Sequence, residues 1–277
     1  MKIKLICDSL CDAPKELIDK YDIEVIPLTI IIDDKEFKDG VDFTNEEFYS
    51  TMKKINTLPK TSQATYIQFK EAFDKYKDEY SIICINGSSK SSGTYQSAMM
   101  AKNDTEGDIH IFDTLNLSLG SGQYVIKACE LIEQGLDAKN IIDELEKLRE
   151  SVNLFFVPDT LEYLKRSGRV SVAAATIGNM LSLKPVFSVK DGNISLVTKV
   201  RGKKNVINKL IELLQSQYNN FEDKNVMIGC GDNISDFETL KKEVQEKIKA
   251  KKLYFTRGGA CICSHTGPDI IAISCSN

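Results

Sequence analysis

The stretch Ser81 to Phe112, SIICINGSSKSSGTYQSAMMAKNDTEGDIHIF, decides the fold. Its first residues, Ser81 to Ile85, form an apolar run without charge or proline, the pattern of a strand buried on both faces. A loop of small hydroxyl residues follows, then a helix over Ser92 to Lys102 and a second strand over Ile109 to Phe112. Strand, helix and strand within about thirty residues make a βαβ unit, whose crossover requires parallel pairing.

The same alternation extends outward in both directions. Upstream, Ile3 to Cys7 and Ile23 to Ile32 read as strands and Pro14 to Lys20 as a helix, with a turn at Asp33-Asp34. Thr44 is placed to cap a helix running to about Lys54, and Thr65 to Tyr76 puts Phe69, Phe73 and Tyr76 on one helical face. Downstream, Leu117 to Glu133 is a further helix. The remainder is patterned differently. A strand at Leu154 to Val157 leads to helices over Thr160 to Arg166 and Val172 to Leu181, then a hairpin over Pro185 to Val200 turning at Asp191-Gly192. Helices over Lys203 to Tyr218 and Ser235 to Lys249 alternate with strands at Val226 to Gly229, Leu253 to Phe255 and Ile270 to Ser274. The expectation is an α/β protein of two domains. Residues 1–152 build a three-layer N-terminal domain on a parallel sheet, and residues 153–277 a mixed α+β C-terminal domain.

Composition agrees with that division. A chain of 277 residues suits about two domains, and 42% hydrophobic with 27% charged residues is globular rather than disordered. The strongly apolar stretch Val25 to Ile32 falls far short of the ~20 residues that span a bilayer, so no integral membrane segment is expected. Asp8 interrupts the N-terminus before a secretory apolar region forms, which places the protein in the cytoplasm and its eight cysteines in a reducing setting as free thiols. Residues 1–150 carry 18 basic against 28 acidic side chains, a net of −10, whereas 151–277 carry 18 against 12, a net of +6. A basic second half favours an anionic ligand or partner. Its basic residues are scattered and accompany no nucleic-acid motif, so nucleic acid is not expected.

In an open parallel sheet, ligands bind at the carboxyl ends of the strands, where loops lead into helices. Here those loops carry Asp8-Ser9, Asn86 to Thr94 and Asp113-Thr114, and Thr61-Ser62-Gln63 precedes another helix. Helix capping alone would account for most of these residues. Gly87 to Thr94 exceeds that need, since its serines, two glycines and lysine stand before a helix whose positive end can hold an anion. Neither GxxxxGK[ST] nor GxGxxG is present, which disfavours a nucleotide, and no cofactor is implied. Gly93 would let a ligand approach the backbone. Cys261, Cys263 and His265 alternate as if on one face of a strand, but CxxC pairs are absent and the chain has only two histidines, so no metal is expected. Arg201, after the hairpin, offers a fork-shaped donor for carboxylate or phosphate. A serine hydrolase or acyl transferase built on Ser92, His265 and an acid such as Asp8 is the competing reading, weakened by the absence of a G-x-S-x-G elbow.

Seven ordered segments carry a resemblance: Cys7-Asp8-Ser9, Thr61-Ser62-Gln63, Ser91 to Ala98, Asp113-Thr114, Thr160 to Arg169, Leu183-Lys184-Pro185 and His265 to Pro268. Together they make the sequence similar to the DegV family of bacterial fatty-acid-binding proteins. That resemblance implies a long-chain fatty acid held between two domains, its carboxylate gripped by Thr61 and Ser92 with Ser62, Gly93 and His265 nearby. It further implies a carrier rather than an enzyme, one that presents the carboxylate to the catalytic subunit of a separate fatty acid kinase and so feeds phospholipid synthesis. Arg201 and His265 would then suit contact with the phosphate or with the kinase. Candidate tail contacts are Ala173, Ala174, Ala175, Ile177, Met180 and Leu181, with Phe155, Phe156 and Phe187.

Overall fold

The computed structural model describes residues 1–55, 57–169 and 183–277. Strands β1 (Lys2–Asp8) and β6 (Tyr80–Asn86) lie at the centre of a four-stranded parallel sheet, flanked by β2 (Glu24–Ile26) and β7 (Ile109–Asp113) in the order β2-β1-β6-β7. Six of the seven residues of β6 are buried, as a parallel strand covered on both faces requires. Helices α1 (Lys15–Tyr21), α3 (Tyr66–Tyr76), α4 (Thr94–Asn103), α5 (Leu119–Glu133) and α6 (Ala138–Leu148) flank it. Helices α2 (Asn45–Met52) and α3 both start on capping boxes, Thr44 with Glu47 and Thr65 with Gln68.

The apolar run at 23–32 is not one strand. Pro27 lacks the N–H that a continuous ladder needs, the amide of Leu28 turns to the Ser9 hydroxyl at 3.1 Å, and the chain re-emerges as β3 (Thr29–Ile32) in a different sheet. There β3 pairs antiparallel with β4 (Lys35–Lys38) and β5 (Lys60–Ser62), in the order β4-β3-β5. Asp33 and Asp34, both at positive φ, make the tight turn between β3 and β4.

Residues 153–277 build a six-stranded mixed sheet in the order β10-β9-β8-β13-β11-β12. Its strands are β8 (Asn153–Val157), β9 (Leu183–Lys190), β10 (Asn193–Arg201), β11 (Asn225–Cys230), β12 (Lys252–Arg257) and β13 (Ile271–Cys275), with β11 and β12 parallel and the other pairs antiparallel. Helices α7 (Glu162–Ser167), α8 (Val206–Gln215), α9 (Ile234–Lys247) and α10 (Ala260–Thr266) accompany it. The expected helix over Val172 to Leu181 lies outside the described residues.

The two sheets share a core. One face of the mixed sheet packs under α8 and α9 through Phe155, Val157, Ile211 and Ile228, while Leu154, Phe156 and Ala272 on the other face join the core of the parallel sheet. Helix α5 runs between them and touches β6, β8, β11 and β13, which explains why it is buried on nearly every side rather than along one stripe. Helix α6, amphipathic and capped by Asp137, and the short strands β4 and β5 have no counterpart in the pattern reading. Three or four residues are too few for a periodicity to register.

Candidate functional site

A cavity of about 320 Å³ opens where the small sheet, the β6–α4 loop and the mixed sheet meet. Its polar lining comes from β5, which supplies Thr61 and Ser62 and leads into Gln63, from Ser91, Ser92 and Gly93 before α4, and from His265 in the last turn of α10. Its apolar lining comes from the inner face of the mixed sheet, Leu154 and Phe156 on β8, Val189 on β9, Ile194 on β10 and Ala272 on β13. Leu10, Leu28 and Leu117 complete that wall from the other side. Most of the hydroxyl groups arrive on β5 and the loop before α4 and most of the apolar wall on the mixed sheet, while α10 supplies both kinds through Ile262 and His265.

Contacts within the polar end leave protons free for a ligand. Ala64 N–H donates to Thr94 Oγ1 at 3.2 Å, and Thr94 Oγ1 lies 2.9 Å from Ser92 Oγ, which also accepts the Thr94 amide at 3.3 Å. Either hydroxyl can donate in that pair, because the Thr94 oxygen keeps a second lone pair beside the one that accepts from Ala64. When Thr94 donates, Ser92 turns its own hydroxyl proton toward the cavity. Thr61 Oγ1 lies 2.8 Å from His265 Nε2, and burial, with Arg169 nearby, pushes the His265 pKa down to about 4. The imidazole is neutral at pH 7. His265 Nδ1 is buried with no partner among the described residues, and an unmet lone pair costs less there than an unmet N–H, so we assign the proton to Nε2. Nε2–H then donates to Thr61 and frees the Thr61 hydroxyl in turn.

Gly93 lines the cavity, and its missing side chain also serves a neighbour. A Cβ there would fall 1.9 Å from Gln63 Oε1, so the glycine makes room for the Gln63 amide, which donates to Ser97 Oγ at 2.9 Å. The serine loop is held from the second half of the chain as well. Ser88 and Ser91 hydroxyls donate to the Gly192 carbonyl at 2.9 and 3.2 Å, at a hairpin tip where Asp191 and Gly192 both take positive φ. A side chain at Gly192 would meet Ser88 Oγ and Lys90 Cγ at 2.6 Å.

Thr61, Ser62, Ser92, Gly93 and His265 thus line one cavity, whereas Arg201 does not line it and sits exposed at the end of β10. Cys261, Cys263 and His265 lie on a helix rather than a strand. The i, i+4 pair Cys261 and His265 shares the cavity face, and Cys263 turns away toward the Gly258 carbonyl. Burial pushes the Cys261 and Cys263 thiols well above their ordinary range, which leaves them protonated. No metal-binding group of histidine, cysteine or carboxylate side chains forms among the described residues. The hydrolase arrangement is not assembled either. Ser92 bonds Thr94, His265 bonds Thr61, and Asp8 is taken up by the Asn86 side chain and the amides of Gly87 and Leu10 at 2.9 to 3.0 Å. Phe155 points to the opposite face from Phe156 by strand alternation, and Phe187 stacks behind Phe156 at 5.6 Å. Ala173, Ala174, Ala175, Ile177, Met180 and Leu181 lie outside the described residues. Arg169, Cys261, Ile194 and Ala272 are lining residues that the pattern reading did not single out for this site.

The joint that carries α10 is sensitive to pH. Asp12 accepts Ser118 Oγ at 2.5 Å and the Gly259 amide at 2.9 Å, yet burial pushes its pKa up to about 7. Between about pH 4, where an unfolded aspartate titrates, and pH 7, the folded chain keeps a proton that the unfolded chain releases, so stability falls as pH rises and levels off above 7. That window is worth about 4 kcal/mol. Urea unfolding midpoints should drop from pH 5 to pH 8 in the parent and drop less in Asp12→Asn. Parallel curves would show that Asp12 does not carry the effect.

The DegV family model, described as an uncharacterised protein family, matches residues 2–277. The chain belongs to the DegV family. A DegV domain-containing protein of Clostridium acetobutylicum is 36% identical over 268 residues, covering 96% of this chain and 95% of the relative. A DegV family protein from Thermus thermophilus, described by its fatty acid binding, superposes with a TM-score of 0.93 at 29% identity over 100% of both chains. A stearic-acid-binding protein from Eubacterium ventriosum gives 0.90 at 26% identity, over 100% of this chain and 98% of that one. The DegV fold, a parallel sheet joined to a mixed sheet, is therefore the fold of this chain. No helix among the described residues is long and apolar enough to cross a membrane.

Proposed function

We propose that this DegV protein binds a long-chain fatty acid in the cavity between its two sheets, with the carboxylate at Thr61 and Ser92 and the tail along Leu154, Phe156, Ile194 and Ala272. One observation carries the reading: an apolar wall ends in the hydroxyl groups of Thr61, Ser62 and Ser92 beside a neutral imidazole. Neutral donors can pair with an anion without burying a charge of their own. The α4 N-terminus adds its positive end next to Ser92. Relatives described as fatty acid binding share the fold over their whole length. Each buried methylene contributes about 0.8 kcal/mol and each neutral hydrogen bond nets about 1, so the tail sets the affinity and the donors set orientation.

The chain divides in this reading at residues 152 and 153, the first domain supplying most of the head-group contacts and the second the tail wall. Presentation of the carboxylate to a separate fatty acid kinase, with ATP chemistry in that partner and phospholipid synthesis downstream, follows from the family resemblance. Arg201, exposed at the end of β10, is our candidate for the phosphate or kinase contact together with His265. Eight unpaired, buried cysteines fit a reducing compartment such as the cytoplasm. Mass spectrometry of denatured protein should release a stoichiometric long-chain fatty acid. Protein that carries none, and that takes up neither stearic nor oleic acid after delipidation, would end the proposal. Acyl phosphate formed from the bound acid only when a fatty acid kinase subunit and ATP are added would support the carrier role, and ester turnover lost in Ser92→Ala would replace it with a hydrolase.

A further inference from the structure

We propose that Asp39 is a positioning residue for the head-group site: the β4-β3-β5 sheet holds α10 at both ends, through Asp39 at its first turn and Thr61 at its last, and so sets the Thr61–His265 contact. The helix brings no cap of its own, since its N-cap is Gly259 and no side chain of the flanking segment bonds its first turn. The free amides of Ala260 and Cys261 go instead to the two oxygens of Asp39, at 2.9 and 3.3 Å, from 221 and 222 residues away in the chain. Asp39 is fixed in turn. Its own amide donates to the Leu28 carbonyl at 2.9 Å, and the Leu28 amide donates to the Ser9 hydroxyl at 3.1 Å.

The sheet that carries Asp39 also carries Thr61. Asp39 directly follows β4, Lys38 of β4 pairs with Thr29 of β3, and the neighbouring Ile30 pairs with Thr61 of β5. Asp39 and Thr61 are therefore two strand spacings apart across the sheet and two residues offset along it, about 12 Å in all. From Ala260 to His265 the helix rises five residues, about 7.5 Å. A helix of that length can lie across the sheet with its first turn over one outer strand and its last over the other. Two acceptors aimed at two adjacent amides call for a carboxylate. Asparagine would meet one amide and turn an N–H toward the other.

The affinity arm of the test rests on the fatty-acid reading, and the spectroscopic arm does not. With only two histidines, His110 and His265, the imidazole ¹⁵N spectrum gives one signal set for the site and one internal control. In Asp39→Ala the His265 ring should lose its locked tautomer pattern and its titration midpoint should rise by about one pH unit as the ring gains solvent, with His110 unchanged. Asp39→Asn should fall between alanine and the parent. Oleic acid should bind at least tenfold more weakly to Asp39→Ala, with oleyl alcohol changed less than twofold. A folded Asp39→Ala whose His265 signals and midpoint match the parent would overturn the assignment, and if that variant does not fold, an Asp39→Asn spectrum identical to the parent would do so. A parent that binds neither lipid would remove the fatty-acid reading while the ring spectrum still decides the role of Asp39.

Discussion

Replacing Thr61 and Ser92 together by alanine is expected to weaken stearic acid binding by roughly 10² to 10⁴-fold, because two hydrogen bonds to a charged group, each worth about 1.5 to 3 kcal/mol, are lost. The matching alcohol, stearyl alcohol, makes only neutral bonds there, about 1 kcal/mol each, and should lose about 30-fold or less. The ratio of the two effects is the measurement, since a general collapse of the cavity would lower both equally. Folding should survive. Thr61 and Ser92 are both half-buried, and their removal leaves His265 Nε2 and the Thr94 amide without a protein partner, a cost of about 1 to 3 kcal/mol each. Competition titration with a fluorescent acyl probe, beside a thermal melt, gives both numbers. If the double variant binds stearic acid as tightly as the parent, the head group lies elsewhere.

The site was legible in the sequence where chemistry is local and illegible where it depends on pairing at a distance. Ser92 and Gly93 stand in a hydroxyl-rich loop between a strand and a helix, and that pattern alone marks a ligand-facing loop. Thr61 is different: it faces the cavity because β5 pairs with β3, thirty-one residues upstream at Ile30, and a three-residue strand leaves no periodicity to read. His265 is visible as one of two histidines, but the sequence suggests a strand where the structure has a helix, because alternating Cys261, Cys263 and His265 mimic a two-residue period. Only the remote carboxylates of Asp12 and Asp39, which satisfy the first amides of α10, reveal why a seven-residue helix forms there. The apolar wall was hardest. Leu154, Val189, Ile194 and Ala272 obey the same alternation as ordinary core, and nothing in a strand pattern distinguishes a side chain that meets another protein group from one that meets a cavity. Pro27 shows the reverse case, a local signal strong enough to split an apolar run between two sheets.

Enlarging Ala272 to leucine should convert the cavity from one that favours long tails to one that does not. Ala272 sits on β13 opposite Phe156 of β8 on one side and Gly229 of β11 on the other. A side chain at Gly229 would meet Leu119 Cδ1 at 2.9 Å, so that position is already covered by α5. Alanine is thus the low point of the wall, with Phe156 rising beside it. Leucine adds three carbons into space that the cavity now leaves open, and about three tail methylenes must withdraw from contact. At about 0.8 kcal/mol each, roughly 2.4 kcal/mol is lost for stearic acid, close to 60-fold in affinity. Decanoic acid, too short to need that depth, should change by less than about threefold. The empty protein should melt at the same temperature or slightly higher, because the added carbons fill a void instead of displacing packed neighbours. Equal loss for both acids would mean the new side chain distorts the head-group end, and no loss for either would mean the tail runs along a different wall.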